Sequence, residues 1–284
     1  AVIAELKNNK LKYKSINTCI TLLYSLHSKQ LLTVEYIESK YLHPVQQSMV
    51  DNDGAQCGFC TPGFIMSMYA MHKNKISPTD SNINRYLSGN LCRCTGYRPI
   101  KEALKNLKKY KDLESDTSKV FKKLKKIKLS DVVLTRDGSK FYIHQNLKNF
   151  KKDFIKSKSP SLLVGGTDIS LDITKKRKNL NEIFYLGQNK DLTYVRVKNN
   201  NLHIGAATPI NDILGSLKKY YPEFHEMFER YGSEQIRNVA SLGGNIGSAS
   251  PIGDSLPVLI CLDAKLVLDG LKSRKIQINN YFVG

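Results

Sequence analysis

Gln56-Cys57-Gly58-Phe59-Cys60-Thr61-Pro62-Gly63 and, further on, Gly89-Asn90-Leu91-Cys92-Arg93-Cys94-Thr95-Gly96-Tyr97-Arg98-Pro99-Ile100 decide how the first half of this chain folds. Four cysteines stand in two tight pairs, Cys57-x2-Cys60 and Cys92-x-Cys94, with 31 residues between them. Two thiolate pairs brought together enclose a metal centre, and zinc and an iron–sulfur cluster are the candidates. Zinc ribbons usually repeat C-x2-C in both halves, whereas the second pair here is C-x-C. A [2Fe–2S] cluster has two separate irons. Each would take one close thiolate pair, which tolerates two unlike pairs. Each pair also lies just before a proline suited to the first turn of a helix, Pro62 and Pro99. Helix starts direct free amides and a positive dipole end outward, which favours an anionic four-thiolate cluster. Gly58 and Gly96 let backbone amides approach the sulfurs.

Around these pairs, residues 37–110 read as four short helices. His43-Pro44 opens the first. Thr61 caps the second, with Ile65, Met68, Tyr69 and His72 at helical spacing. Ser77-Pro78 opens the third and Gly89 stops it, and Pro99 opens the fourth, with Ile100, Leu104 and Leu107 on one face. Residues 1–36 read as strands (1–6, 11–16, 31–35) with Asn8-Asn9 as a turn. Residues 111–140 are lysine-rich and weakly periodic, and read as a linker. From 141 to 284 strands and helices alternate, giving a multidomain α+β chain. Strands are expected at 141–144, 161–164, 183–186, 194–198, 202–204 and 265–268, and helices at 147–155, 210–219 and 222–230.

Within 141–284, Leu162-Leu163-Val164-Gly165-Gly166-Thr167-Asp168 is an apolar strand running into a glycine pair, where consecutive N–H groups form an anion-binding nest. Ala240-Ser241-Leu242-Gly243-Gly244-Asn245-Ile246, followed by Ser250-Pro251-Ile252-Gly253-Asp254, is a second glycine turn. Neither is a dinucleotide fingerprint or a Walker A loop. Together they suit a long ligand with a pyrophosphate in its middle. The six histidines are scattered and form no triad, and no nucleophile stands beside a base. That pattern agrees with a relay in which cofactors carry the chemistry.

The net charge of +19 comes from 35 Lys and 9 Arg against 25 acids. The lysines are dispersed and lack an interleaved aromatic ladder, so no nucleic-acid partner is expected. No signal peptide and no long apolar run is visible, so no membrane association is expected. The clustering of four of the six cysteines argues against a disulfide framework and for a reducing, cytoplasmic setting.

The two cysteine stretches, together with His43-Pro44-Val45-Gln46, resemble the second iron–sulfur domain of the molybdenum hydroxylases. That family includes xanthine dehydrogenase, aldehyde oxidase, and carbon monoxide and nicotinate dehydrogenases. Cys57, Cys60, Cys92 and Cys94 are then the expected cluster ligands. Asn17-Thr18-Cys19-Ile20 resembles the last ligand site of the family's plant-type ferredoxin (β-grasp) domain. The resemblance therefore implies that residues 1–36 are a remnant of that domain. Cys19 is then an orphan ligand whose partners would precede Ala1. The segment 141–284 resembles the family's flavin domain, of the vanillyl-alcohol-oxidase type, through Val164–Asp168, Gly205-Ala206-Ala207-Thr208, Gln235-Ile236-Arg237-Asn238, Ser241–Asn245 and Asp254. This implies FAD held by Val164, Gly165, Gly166, Thr167, Asp168, Ser241, Gly243, Gly244, Asn245 and Asp254, in a domain that the family continues beyond Gly284. The implied function is an electron-transfer subunit that receives electrons from a molybdenum cofactor on a partner and passes them through the cluster to FAD and NAD+. Gln56 and Cys94 would lie nearest the partner's pterin. A zinc-stabilised, non-enzymatic binding module is the rival.

Overall fold

Alternating apolar residues and an Asn-Asn turn make the first hairpin. In the computed structural model, which describes residues 1–38, 41–111 and 117–282, β1 (Val2–Lys7) pairs antiparallel with β2 (Lys10–Ser15). Asn8 and Asn9 take φ of 50° and 56° at the turn, the left-handed conformation that asparagine tolerates. β3 (Gln30–Leu32) flanks β1 on its other side. Helix α1 (Pro44–Asp51) starts with a reciprocal cap: His43 Nδ1 accepts the Val45 amide at 3.3 Å, and Gln46 Oε1 accepts the His43 amide at 2.9 Å. In α2 (Thr61–Lys73) every residue from Phe64 to Met71 is buried, which makes it the central helix. It begins one residue earlier than expected, with Cys60 rather than Thr61 at the N-cap.

The third helix, α3 (Asp80–Leu87), starts beyond the expected Ser77-Pro78, because Thr79 supplies the cap by accepting the Asn82 amide. The fourth, α4 (Arg98–Lys105), is tied to α1 by the Ser48 hydroxyl, which donates to the Ala103 carbonyl at 2.6 Å. Strands and helices share one core: Val2, Ala4, Tyr13 and Leu32 cluster with Val45, Phe64, Met68, Ile83, Ile100 and Leu104. The strands of 1–36 thus pack into the helical core; three short strands have too little apolar surface to close a core of their own.

Of the expected linker, residues 112–116 lie outside the described residues. The rest is largely structured. α5 (Thr117–Lys126) half-buries Val120, Phe121 and Leu124 beneath its lysines. Two compact units result, one of residues 1–128 with 232–238, the other of 129–231 with 239–284.

The second unit begins before the expected residue 141. β4 (Val132–Arg136) pairs with β5 (Ser139–Ile143) around Asp137-Gly138, at φ of 48° and 76°, a hairpin turn suited to that dipeptide. Next come α6 (Leu147–Phe154), β6 (Pro160–Leu163), α7 (Ser170–Thr174) and β7 (Glu182–Tyr185). The sheet order is β4-β5-β7-β6, with β7 parallel to both neighbours. Phe184 of β7 is fully buried, stacks on Tyr142 at 4.3 Å and meets the edges of Phe150 and Phe154 from α6. Phe184→Ala should cost about 3–5 kcal/mol in thermal or denaturant unfolding. A loss below 1 kcal/mol would mean that this cluster is not the core of the sheet.

A hairpin of β8 (Val195–Lys198) and β9 (Asn201–Ile204) precedes α8 (Ile210–Tyr220) and α9 (Pro222–Arg230). After the short turn α10 (Glu234–Arg237), which belongs with the first unit, come α11 (Leu242–Ser248), α12 (Ser255–Cys261), β10 (Lys265–Asp269) and β11 (Ser273–Gln277). The apolar setting of Cys261, within Val258–Leu262, predicts a buried small residue, but it is exposed. α12 buries Ser255 and Leu259, and Cys261 falls about 200° round the helix from Leu259. Among the described residues no helix is long and apolar enough to cross a membrane.

Candidate functional site

The loop that ends in Cys60 and the turn that carries Cys92 and Cys94 face each other at the start of α2. The sulfurs of Cys57 and Cys94 are 3.5 Å apart, and Cys60 shares a hydrogen bond with Cys92. The contacts thus run across the two sequence pairs, not within them as the spacing suggests. Thiolates on one tetrahedral metal with ~2.3 Å bonds stand about 3.7 Å apart. The Cys57–Cys94 separation therefore suits two ligands of one metal. Among the described residues no three His, Cys, Asp or Glu side chains gather as they would around a single ion. Two facing thiol pairs are the arrangement that a binuclear centre needs.

Hydrogen bonds converge on Cys92. The Thr95 hydroxyl lies 3.2 Å from its sulfur and the Thr95 amide 3.5 Å. The same hydroxyl accepts the Tyr97 amide at 3.1 Å, and the Cys92 amide donates to the Tyr97 hydroxyl at 3.0 Å. Tyr97 itself sits at φ 67°, turning the chain into α4. These bonds, the Thr95 hydroxyl first, bring the Cys92 thiol down to about 7. Burial pushes the Cys60 thiol up to about 11. The Phe59 amide lowers Cys57, while the hydrogen bond to Cys57 raises Cys94. A bound thiolate cannot donate, so in the 3.2 Å contact the Thr95 hydroxyl would be the donor, alongside the Thr95 amide. Thr95→Val should then make the reduction potential of a metal centre here more negative by roughly tens of millivolts. An unchanged potential in a dye-mediated titration would show that this bond is not made to the ligated sulfur.

Cys19 is exposed and stands beside the Ala1 ammonium, apart from these four sulfurs. Gln56 is exposed. Phe59 and Leu91, next to the ligand loops, are 94% and 80% exposed.

The two glycine turns differ in what their amides do. In the first, no hydrogen bond among the described residues uses the amides of Gly165, Gly166 or Thr167. Gly166 takes φ 69°, and a Cβ on Gly165 would stand 2.1 Å from the Val239 carbonyl oxygen. Val164 and Asp168 flank this open run, Asp168 exposed. The second turn is the first turn of α11 and not an open loop. The Ser241 hydroxyl accepts the Gly244 amide at 3.0 Å, and the Gly243 amide donates to the Ala206 carbonyl at 3.1 Å. Both amides on which the sequence reading relied are therefore engaged. Asn245 bonds the Tyr231 hydroxyl at 3.2 Å and, through Oδ1, Ser255. Tyr231 and Asp254 line a cavity of about 500 Å³ with Glu223, Glu226, Met227 and Arg230. Three carboxylates against one arginine, itself paired to Glu226 at 2.7 Å, make that cavity unsuitable for phosphate. The open amides lie in the first turn.

Sequence reasoning did not reach Thr95, Tyr97, Tyr231, Ser255 or Val239. Thr95 alone carried a signal, as a hydroxyl within three residues of a ligand.

A family model described as a [2Fe-2S] binding domain matches residues 33–105, and one described as an FAD binding domain in molybdopterin dehydrogenase matches residues 138–284. The chain is 32% identical to the xanthine dehydrogenase/oxidase of Mus musculus, over 92% of this chain and 23% of that protein. It is 29% identical to xanthine dehydrogenase 1 of Arabidopsis thaliana, over 95% of this chain and 25% of that protein. It thus spans about a quarter of the length of these curated relatives. A solved carbon monoxide dehydrogenase from Hydrogenophaga pseudoflava, lacking the Mo-pyranopterin moiety, matches with a TM-score of 0.49 at 20% identity, over 53% of this chain and 54% of that one.

Proposed function

Since the chain belongs to the molybdopterin dehydrogenase family, whose FAD-binding domain accounts for more than half of it, we propose that it is the electron-transfer portion of a xanthine-dehydrogenase-like molybdenum hydroxylase. The observation that carries this reading is the crosswise pairing of four thiols. It fits a [2Fe–2S] cluster with Cys57 and Cys94 on one iron and Cys60 and Cys92 on the other. The match of residues 33–105 to a [2Fe-2S] binding domain favours the cluster over the zinc-module reading.

In this proposal a cluster and FAD supply one- and two-electron chemistry between a molybdenum cofactor, carried by a partner subunit or by further chain, and NAD+. Residues of the present chain set access and potential. Thr95 and the start of α2 direct dipoles at the sulfurs. Gly165, Gly166 and Thr167, with Val164 and Asp168 beside them, hold the FAD pyrophosphate on unpaired amides. Ser241, Gly243, Gly244 and Asn245 shape the neighbouring turn, and Asp254 contacts a non-phosphate part of the ligand. Gln56 and Cys94 face the molybdenum partner, and exposed Phe59 and Leu91 supply apolar contact for it. β1–β3 correspond to the ferredoxin-like part, and the second unit to a vanillyl-alcohol-oxidase-type flavin fold. Four free thiols at the metal centre suit a reducing, cytoplasmic setting.

With FAD bound under anaerobic conditions, NADH should bleach the flavin absorption and elicit the paramagnetic signal of the reduced cluster. If dithionite reduces both groups and NADH neither, NAD+ is not the acceptor.

A further inference from the structure

Gln235 stands 168 residues from Ser67 in sequence, yet its Nε2 donates to the Ser67 hydroxyl at 3.0 Å. Ser67 lies in the buried middle of α2, the helix that starts at Cys60. Asn90 Nδ2 donates to the same hydroxyl at 2.8 Å, and Asn90 is two residues before Cys92. Two amides from distant parts of the chain thus converge on one serine oxygen. Asn90 Oδ1 sits against the first turn of α2, where a Cβ on Gly63 would stand 2.8 Å from it. Gln235 Oε1 is pressed on Gly89, where a Cβ would come within 2.0 Å. That oxygen is buried without a hydrogen-bond partner, so the side chain is held by its amide nitrogen and by shape.

The segment bearing Gln235 is itself fastened into the first unit. Glu234 pairs with Arg85 at 3.1 Å and Arg237 at 3.2 Å, and Asn238 donates to the Ser15 carbonyl at 2.9 Å. Gln235 and Arg237 are 4% and 1% exposed, too deep for a surface contact.

We propose that Gln235, acting through Ser67 and Asn90, is a positioning residue for the metal centre. It fixes the Gly89–Cys92 turn against α2 and so sets the placement of Cys92 relative to Cys60. The proposal rests on the cluster reading above. Outer partners that orient metal ligands typically cost about 10–100-fold in metal affinity when removed.

The test uses the whole chain with its cluster. Gln235→Met keeps the volume and removes the hydrogen bond, and Ser67→Ala removes the shared acceptor with the smallest possible change. Each variant should release iron to a chelator about tenfold faster than wild type. Each should also shift the g-values and midpoint potential of the reduced cluster, signals that a loss of fold stability alone does not move. The double variant should match Ser67→Ala, because that change already removes the acceptor of Gln235. A cluster in wild type whose g-values and potential are unchanged in both variants would overturn the proposal. A purified wild-type chain that holds no iron would overturn the cluster reading, and this inference would fall with it. Should Gln235→Met fail to fold, Ser67→Ala alone decides by the same two spectroscopic readings.

Discussion

Serine in place of Cys92 should abolish the paramagnetic signal of the reduced protein or displace it strongly, whereas Cys19→Ser should leave it unchanged. Cys92 is buried at the centre of the thiol group and takes bonds from Thr95, while Cys19 is exposed beside the chain's amino terminus. On the proposed ligand set, losing one of four thiolates removes a bond to iron. The crosswise contacts sharpen the expectation. Where serine variants retain a cluster, Cys57→Ser should resemble Cys94→Ser, and Cys60→Ser should resemble Cys92→Ser, in g-values and potential. Resemblance of Cys57 to Cys60 instead would restore pairing within the sequence motifs. Loss of the signal in Cys19→Ser would overturn the ligand set.

The second large effect is expected at Gly165. An alanine there would drive its methyl to 2.1 Å from the Val239 carbonyl oxygen, which is backbone and cannot swing aside. Overpacking of this kind costs roughly 3 kcal/mol, a fall of about 6–12 °C in melting temperature. The turn that presents the free amides would be displaced, and FAD affinity should drop at least about 100-fold, the equivalent of some 2.7 kcal/mol. Gly215→Ala is the control. It lies in α8 with nothing within 4 Å of the added carbon, so it should leave FAD affinity unchanged and raise stability by about 0.5–1 kcal/mol. Equal FAD affinity in wild type and Gly165→Ala by fluorescence titration would remove the first glycine turn from the FAD site.

Local chemistry with a fixed offset was legible in the sequence. Pro44, Pro62 and Pro99 marked three helix starts because proline suits a first turn. Asn8-Asn9 marked a hairpin. The third helix was misplaced because Ser77-Pro78 resembles a start, while the capping hydroxyl belongs to Thr79. The helix Thr117–Lys126 was hidden because its lysines outnumber the three apolar residues that anchor it. The hairpin at Asp137-Gly138 carried a readable signal that the surrounding lysines obscured.

At the candidate metal site, spacing singled out the four cysteines but not their crosswise contacts. Spacing reports nearness along the chain, whereas those contacts depend on how two loops face one another. The glycine turns show the same limit. Ser241 looked like a ligand contact, and only the geometry reveals that its hydroxyl holds the Gly244 amide. Gln235 gave no local sign of its place beside Ser67, since nothing short of the folded chain joins residues 168 apart.

Iron and acid-labile sulfide analysis of the purified chain, read together with low-temperature electron paramagnetic resonance after dithionite reduction, tests the cluster directly. The expected result is a red-brown protein with two irons and two sulfides per cluster and a paramagnetic signal that appears only on reduction. A colourless protein holding one zinc per chain, with no signal in either state, would contradict it.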